Sequence, residues 1–584
     1  MATGTRGQLI TGGRFSRRRV IGITATAAAF AAACGGDSSE DGAESGGTSQ
    51  GSSGTITPSG PAAQQEGTAK PGGIFRSRFS GNPSGLDPYA NTSFRVQEQS
   101  ALAYSRLFKF KNDNDPAVAY NFEVIPDLAA SFEQPGDGTQ LVVKLQPNAT
   151  FHQVAPVDGR AVESEDVRLT LERFRAEPKN TNRAVFGTAD NPLVTGVETP
   201  DAKTVVFKLD KPYGPILNLF ANPQYLWIMP REITAGTLDP TKQIIGSGPF
   251  MFESFQPDID IKVRKNPNYF VQGRPYVDGR TIAIVPENVQ GKSQFQAERL
   301  DAEGISFEDK PEVERSNPKA QWITTIPGTI PYLAFQQRGD SMWRDPRLRQ
   351  AASVLFDRDA MLQLSWNGQG YWHNQVPAHM GKWRLDPKGS EIGEAGKWFK
   401  PNPAEAKALM SAAGYPNGID TRFIYTNNAY GERFNQWAEA IAGMLKDGGI
   451  RTQITIQDYN REYIVSNGTV FGHFEGMYIG LMTPLTDPHD FLFAYMHSKS
   501  GRNAGGVNDP QLDAMIDKEG ATVNQDERLK LVKDIQRYAN ERMYYAPGFI
   551  GPGFIALQPW VKSYKYSANY GSYTETSLDM WLDR

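Results

Sequence analysis

Strand signals and capped-helix signals alternate along almost the whole chain beyond residue 70, and this alternation limits the folds open to it. Gln140–Leu145 (QLVVKL) and Thr204–Leu209 (TVVFKL) are β-branched runs bounded by turn residues, the pattern of strands. Asp345-Pro346 opens a helix that carries Leu348, Ala351, Ala352 and Leu355 at spacings of three and four. Asn402-Pro403 opens another, with Ala406, Leu409, Met410 and Ala413 on one face and Gly414 as its stop. A third helix is expected from about 435 to 446, followed by Gly448-Gly449 and a strand at 451–457. Asn508-Asp509-Pro510 and Asn524 with Glu527 start two more, the second close to a capping box. Helix, turn and strand in repetition predict an α/β fold with covered sheets. About 510 residues take part, enough for two or three domains.

The first 70 residues read differently. Ser16-Arg17-Arg18-Arg19 precedes a short apolar run from Val20 to Ala33, shorter than the ~20 residues a membrane span needs. Basic residues, a short apolar run and small residues together make a secretory signal, and the adjacent arginines resemble the twin-arginine export motif. Ala31-Ala32-Ala33-Cys34-Gly35 looks like a lipobox, although Ala31 stands where Leu is usual. Cys34 is the single cysteine of 584 residues, so no internal disulfide can form. We therefore expect residues 1–33 to be a signal peptide and Cys34 to carry lipid. Residues 34–70, rich in Gly, Ser, Thr and acid, are expected to form a disordered tether. Cleavage removes five arginines and moves the formal net charge from −4 to −9, an acidic balance that argues against nucleic acid. Such a chain would work outside the cytoplasm, at the cell surface or in a periplasm, as a monomer.

Catalytic templates do not match. Gly-x-Ser-x-Gly and His-Glu-x-x-His are absent, and Gly291-Lys292-Ser293 lacks the leading glycine of a P-loop because position 286 is Pro. His473, His489 and His497 are spaced too widely for a compact metal site. Asp357 and Asp359 flank Arg358 on a helix and read as solvated, while carboxylate pairs that meet only in three dimensions stay open. No catalytic residue, metal or cofactor is assigned.

A succession of phrases points further. Leu86-Asp87-Pro88, Ile125-Pro126-Asp127-Leu128-Ala129 and Leu141-Val142-Val143-Lys144-Leu145 come first, followed by Thr150-Phe151-His152 and Glu163-Ser164-Glu165-Asp166-Val167. Gly246-Ser247-Gly248-Pro249-Phe250, Arg264-Lys265-Asn266-Pro267-Asn268-Tyr269, Arg344-Asp345-Pro346-Arg347-Leu348, Asp487-Pro488-His489-Asp490-Phe491 and Asn508-Asp509-Pro510 complete the series. Between residues 72 and 566 this order and spacing resemble the family 5 extracellular solute-binding proteins, the receptors of dipeptide, oligopeptide and nickel ABC importers. The resemblance implies a two-lobed periplasmic-binding-protein fold of type II with an extra β-rich subdomain in lobe I. Lobe I would cover 71–326, with the subdomain at about 90–200; lobe II would cover 327–547, and 548–584 would return to lobe I. The chain would cross between lobes near Pro327 and Pro547. It would close over a peptide or other small organic solute and hand it to permease subunits.

The family's dipeptide receptors hold the peptide amino terminus with an Asp whose place here falls on Pro484, and the carboxylate with an Arg whose place falls on Asn428. Neutral groups at both places point away from simple dipeptide capture. Candidate ligand-binding residues are Tyr332, Gln336, Trp366, Tyr371, Trp372, Asn374, Trp383, Asn428, Tyr478 and Asp487, the aromatics among them being equally readable as core. Oligosaccharides and metal chelates remain alternative ligands; a tethered extracellular hydrolase and a ligand sensor remain alternative functions.

Overall fold

The computed structural model describes residues 67–584 except 136, 189–191 and 569–572; Cys34 and the expected signal lie outside the described residues. Local signals act where the sequence carries them. The runs Gln140–Leu145 and Thr204–Leu209 are antiparallel neighbours in a four-stranded sheet ordered 129–133, 140–145, 204–209, 194–201. Both alternate buried with less buried side chains, and Thr204–Leu209 and its neighbour 194–201 pack on helix Ser164–Ala176. That helix begins with a reciprocal capping box between Glu163 and Asp166.

A second four-stranded sheet sets Ile74–Phe79 parallel to Gly279–Ile284, followed by Asp260–Lys265 and Phe250–Gln256. A three-stranded sheet places the late strand Gly553–Leu557 between Ala302–Ile305 and Gln321–Thr325. The largest sheet has five strands ordered 450–457, 419–426, 477–482, 330–335, 545–547. Its parallel pair 419–426 and 450–457 is joined through helix Glu432–Asp447, as parallel neighbours require a crossover. Its strand Ile330–Phe335 (IPYLAF) is buried at every position, the signature of a strand covered on both faces.

Two chain connections link the last two sheets. Residues 326–329 lead from strand 321–325 to strand 330–335, and residues 548–552 lead back from 545–547 to 553–557. The strands so joined are neighbours in both sheets, 321–325 with 553–557 and 330–335 with 545–547, so the two connections run together. Away from them, segment 212–222 meets segment 486–523. The Gly214 amide donates to the Gly520 carbonyl at 2.8 Å, Asn222 Nδ2 donates to Thr486 Oγ1 at 3.0 Å, and the Tyr213 ring stands edge-on to His489 at 5.6 Å. Apolar packing is continuous across this contact, one buried cluster running from Tyr89 and Trp227 to Tyr332, Tyr478 and Phe491. Among the described residues no helix is long and apolar enough to cross a membrane.

Candidate functional site

Where the paired connections pass, Thr329 and Ile550 border a cavity of about 320 Å³. Its other walls are Pro331, Trp366, Tyr430, Arg433, Phe434, Trp437 and Leu481. Trp366 ends helix Arg358–Trp366, which stops at Asn367 in a left-handed conformation (φ 51°). Phe434 and Trp437 lie one turn apart on helix Glu432–Asp447, whose first turn also carries Arg433. The rings interlock: Trp366 and Trp437 have centroids 5.5 Å apart, Trp437 meets Phe549 at 5.2 Å, and Tyr430 meets Phe434 at 4.9 Å. The Arg433 guanidinium lies over the Trp366 ring at 5.2 Å and is ion-paired to Glu308, a residue that follows strand 302–305 of the three-stranded sheet. An aromatic box with one cation can hold a planar apolar group and orient a polar one.

Beside it the five-stranded sheet carries a tyrosine cluster. Tyr332 and Tyr478 share a hydroxyl–hydroxyl hydrogen bond, and the Tyr332 ring meets Tyr495 at 5.9 Å and Tyr545 at 5.6 Å. Tyr463 donates to the Ile479 carbonyl at 3.0 Å. Gly480 lets these rings converge: a Cβ there would come within 2.7 Å of Tyr478, 2.9 Å of the Tyr463 hydroxyl and 3.3 Å of Tyr332. Burial, then the neighbouring tyrosines, push the hydroxyls of Tyr332 and Tyr478 well above the ordinary tyrosine range, so they stay neutral donors and acceptors.

The remaining candidate residues fall at several places. Gln336 Nε2 donates to the carbonyls of Gly472 and Phe474 at 2.9 and 2.8 Å, pinning that loop. Tyr371 and Trp372 pair with Ile550 and Phe549 in a short antiparallel ribbon, and Trp372 Nε1 donates to Asp359 at 2.9 Å. Asn374 is fully engaged, donating to the Leu385 carbonyl and accepting from Asn540 and the Gln375 amide. Trp383 is buried beneath the Arg528 guanidinium at 5.2 Å. Asn428 is exposed; it donates to Asp458 at 3.0 Å and accepts from the Tyr459 amide at 3.0 Å. Asp487 caps helix Pro488–Met496 and is ion-paired to Arg528. Thus the structure brings Tyr332 and Tyr478 together and sets Trp366 in the cavity wall, whereas Asn374, Asn428 and Asp487 are bound to protein partners.

Four wall residues, Tyr430, Arg433, Phe434 and Trp437, were not among the expected ones. Their signal was present: aromatics separated by four and three residues at a helix start, with a cation between them. That pattern reads equally as a helix packing face. Only the neighbouring connections 326–329 and 548–552, each a long way off in sequence, turn it into a cavity wall.

The Escherichia coli dipeptide-binding protein is 23% identical over 511 residues, covering 83% of this chain and 90% of that one. Heme-binding protein A of Haemophilus influenzae is 25% identical over 530 residues, covering 85% and 91%. Among solved structures, the ABC-transporter substrate-binding protein CtaP of Listeria monocytogenes superposes with a TM-score of 0.73 at 20% identity. The match covers 88% of this chain and all of that one, and it shows the same two-lobed α/β fold. The model of the bacterial extracellular solute-binding proteins, family 5, matches residues 123–503, and the chain belongs to that family.

Proposed function

We propose that this chain captures a peptide or a related organic solute outside the cytoplasm, closes its two lobes over it, and presents the closed form to an ABC importer. The lobes are 71–326 with 548–584, and 327–547, the β-rich subdomain at about 90–200 belonging to the first. Cys34 anchors the chain to the membrane through lipid and residues 34–70 act as its tether. It acts as a monomer, without cofactor or turnover.

One observation carries this reading. Two adjacent connections pass beside an aromatic cavity, while distant segments on either side of it already touch at Gly214–Gly520 and Asn222–Thr486. That is the arrangement expected of a hinge in its closed state, and a ligand that touches both lobes shifts the population toward it. Relatives named for dipeptides and oligopeptides support peptides as the solute class.

The test is a thermal-shift and turnover screen of the mature protein against di-, tri- and longer peptides. A true ligand at a hundred times its Kd stabilises the folded state by about 2.7 kcal/mol and is recovered intact. Release of cleaved product would instead make the chain a hydrolase and end the receptor reading.

A further inference from the structure

Within that receptor reading, the hinge cavity is selective. We propose that it receives a planar ring bearing a carboxylate, with Arg433 as anion anchor and the edges of Trp366 and Trp437 as apolar walls.

Arg433 is half-buried, lies over the Trp366 ring at 5.2 Å and hydrogen-bonds Glu308 through one terminal nitrogen. Its Nε and its other terminal nitrogen make no hydrogen bond among the described residues. Guanidinium donors form a rigid fork that matches a carboxylate with two parallel bonds. Glu308 takes one terminal nitrogen and leaves the rest of the fork without a hydrogen bond among the described residues. The same group lines the cavity, so an anion reaching it from inside finds an open edge.

Next come the walls. Trp366, Trp437, Phe434 and Tyr430 wall the cavity, the two indoles 5.5 Å apart and tilted by 49°, and Trp366 and Trp437 are 5% and 7% exposed, so they offer the ligand ring edges. About 320 Å³ is at the lower end of ligand pockets and matches one ring system rather than a long peptide. Apolar walls make an unpaired charge expensive, so the cation decides what enters: an anionic ring is accepted, a cationic one is opposed. A peptide with an aromatic carboxy-terminal residue and a free aromatic acid present the same chemistry.

The experiment uses the mature chain and isothermal titration with N-acetyl-tryptophan, its neutral amide, indole-3-acetate and the tripeptide Ala-Ala-Trp. The acid is expected to bind at least about tenfold tighter than the amide, a ratio set by charge-assisted pairing. R433Q should bring that ratio to about one. E308Q, which keeps the guanidinium and removes its internal competitor, should widen the ratio. Tight binding of Ala-Ala-Trp but not indole-3-acetate identifies a peptide terminus as the source; the reverse identifies a free acid. Equal binding of acid and amide, no binding of either, or a preference that survives R433Q overturns the proposal. If a mixed tripeptide library closes wild type and R433Q alike, the Arg433 assignment fails and the receptor reading stands. If no peptide closes either protein, the receptor reading itself is at fault.

Discussion

Arg528 is wholly buried, and it survives there because its charge is matched on two sides. Its Nε donates to Glu519 at 2.7 Å and its Nη1 to Asp487 at 3.0 Å, while His489 Nδ1 lies 2.6 Å from the other Glu519 oxygen. Breaking one partner of such a network costs about 3–5 kcal/mol, because the others stay buried and unmatched. Burial disfavours the imidazolium of His489, but the Glu519 charge and hydrogen bond outweigh it and raise His489 above its ordinary value. Burial opposes the Glu519 charge as well, yet His489 and Arg528 hold that carboxyl below its ordinary range. The other groups facing His489 are Tyr213, Asp487 and Asp490, and burial followed by the Asp487 charge pushes Asp490 up to about 7. A raised histidine stabilises the fold fully below about pH 6.5, and this contribution fades as pH rises through its folded value. The depressed Glu519 stabilises above about pH 4.3, and its share is lost as pH falls through its lower folded value. The raised Asp490 adds a penalty that builds between about pH 4 and 7, and this penalty grows when His489, whose charge lowers Asp490, is removed. His489→Gln should therefore lower the Tm most near pH 5–6 and progressively less toward pH 9. Thermal unfolding of both proteins across that range checks it; a gap that grows toward alkaline pH would contradict the pairing.

Elements were legible wherever the information was local. Asp345, Asn402, Asp509 and Asn524 each accept a hydrogen bond from the backbone of the helix they open, so four expected helix starts follow from four side chains. The helix expected from about 435 begins at Glu432, because Gly431 with φ 81° marks the turn and no capping side chain does. The tyrosine cluster was not legible: Tyr332 and Tyr478 lie 146 residues apart and meet only through strand pairing. Arg433 was missed for the same reason, its partner Glu308 lying 125 residues away. The two glycines Gly480 and Gly443 separate these levels. Gly480→Val forces a side chain against three tyrosines and should destabilise by about 1–3 kcal/mol through overpacking. Gly443 lies exposed within helix 432–447 with nothing in reach of a Cβ, so Gly443→Ala should stabilise by about 0.4–1 kcal/mol. Denaturant titrations of the two variants check both signs.

At the scale of the molecule, folding and closure use separate contacts. Each sheet is satisfied within itself, so opening at the connections 326–329 and 548–552 would leave strand pairing intact. The contacts that opening would remove include Gly214 with Gly520, Asn222 with Thr486, Lys382 with Asn121 and Arg433 with Glu308, together with the apolar packing that runs across the 212–222 and 486–523 segments. Gly214 is the tightest of them, since a Cβ there would stand 2.2 Å from the Thr522 carbonyl oxygen, which is backbone and cannot swing aside. Gly214→Val should hold the segments apart, its side chain pressing on the Thr522 carbonyl and on the Arg528 side chain. The unliganded variant should still fold, because separating the segments relieves the strained contact at the cost of the apolar packing between them. Ligand affinity should fall at least about tenfold, each 1.4 kcal/mol placed on closure costing one decade through the reduced population of the competent form. Small-angle scattering at saturating peptide should show the wild type contracting and the variant remaining expanded. Undiminished affinity together with full contraction would mean that the Gly214–Gly520 approach is incidental to closure, and that the motion pivots elsewhere than at the paired connections.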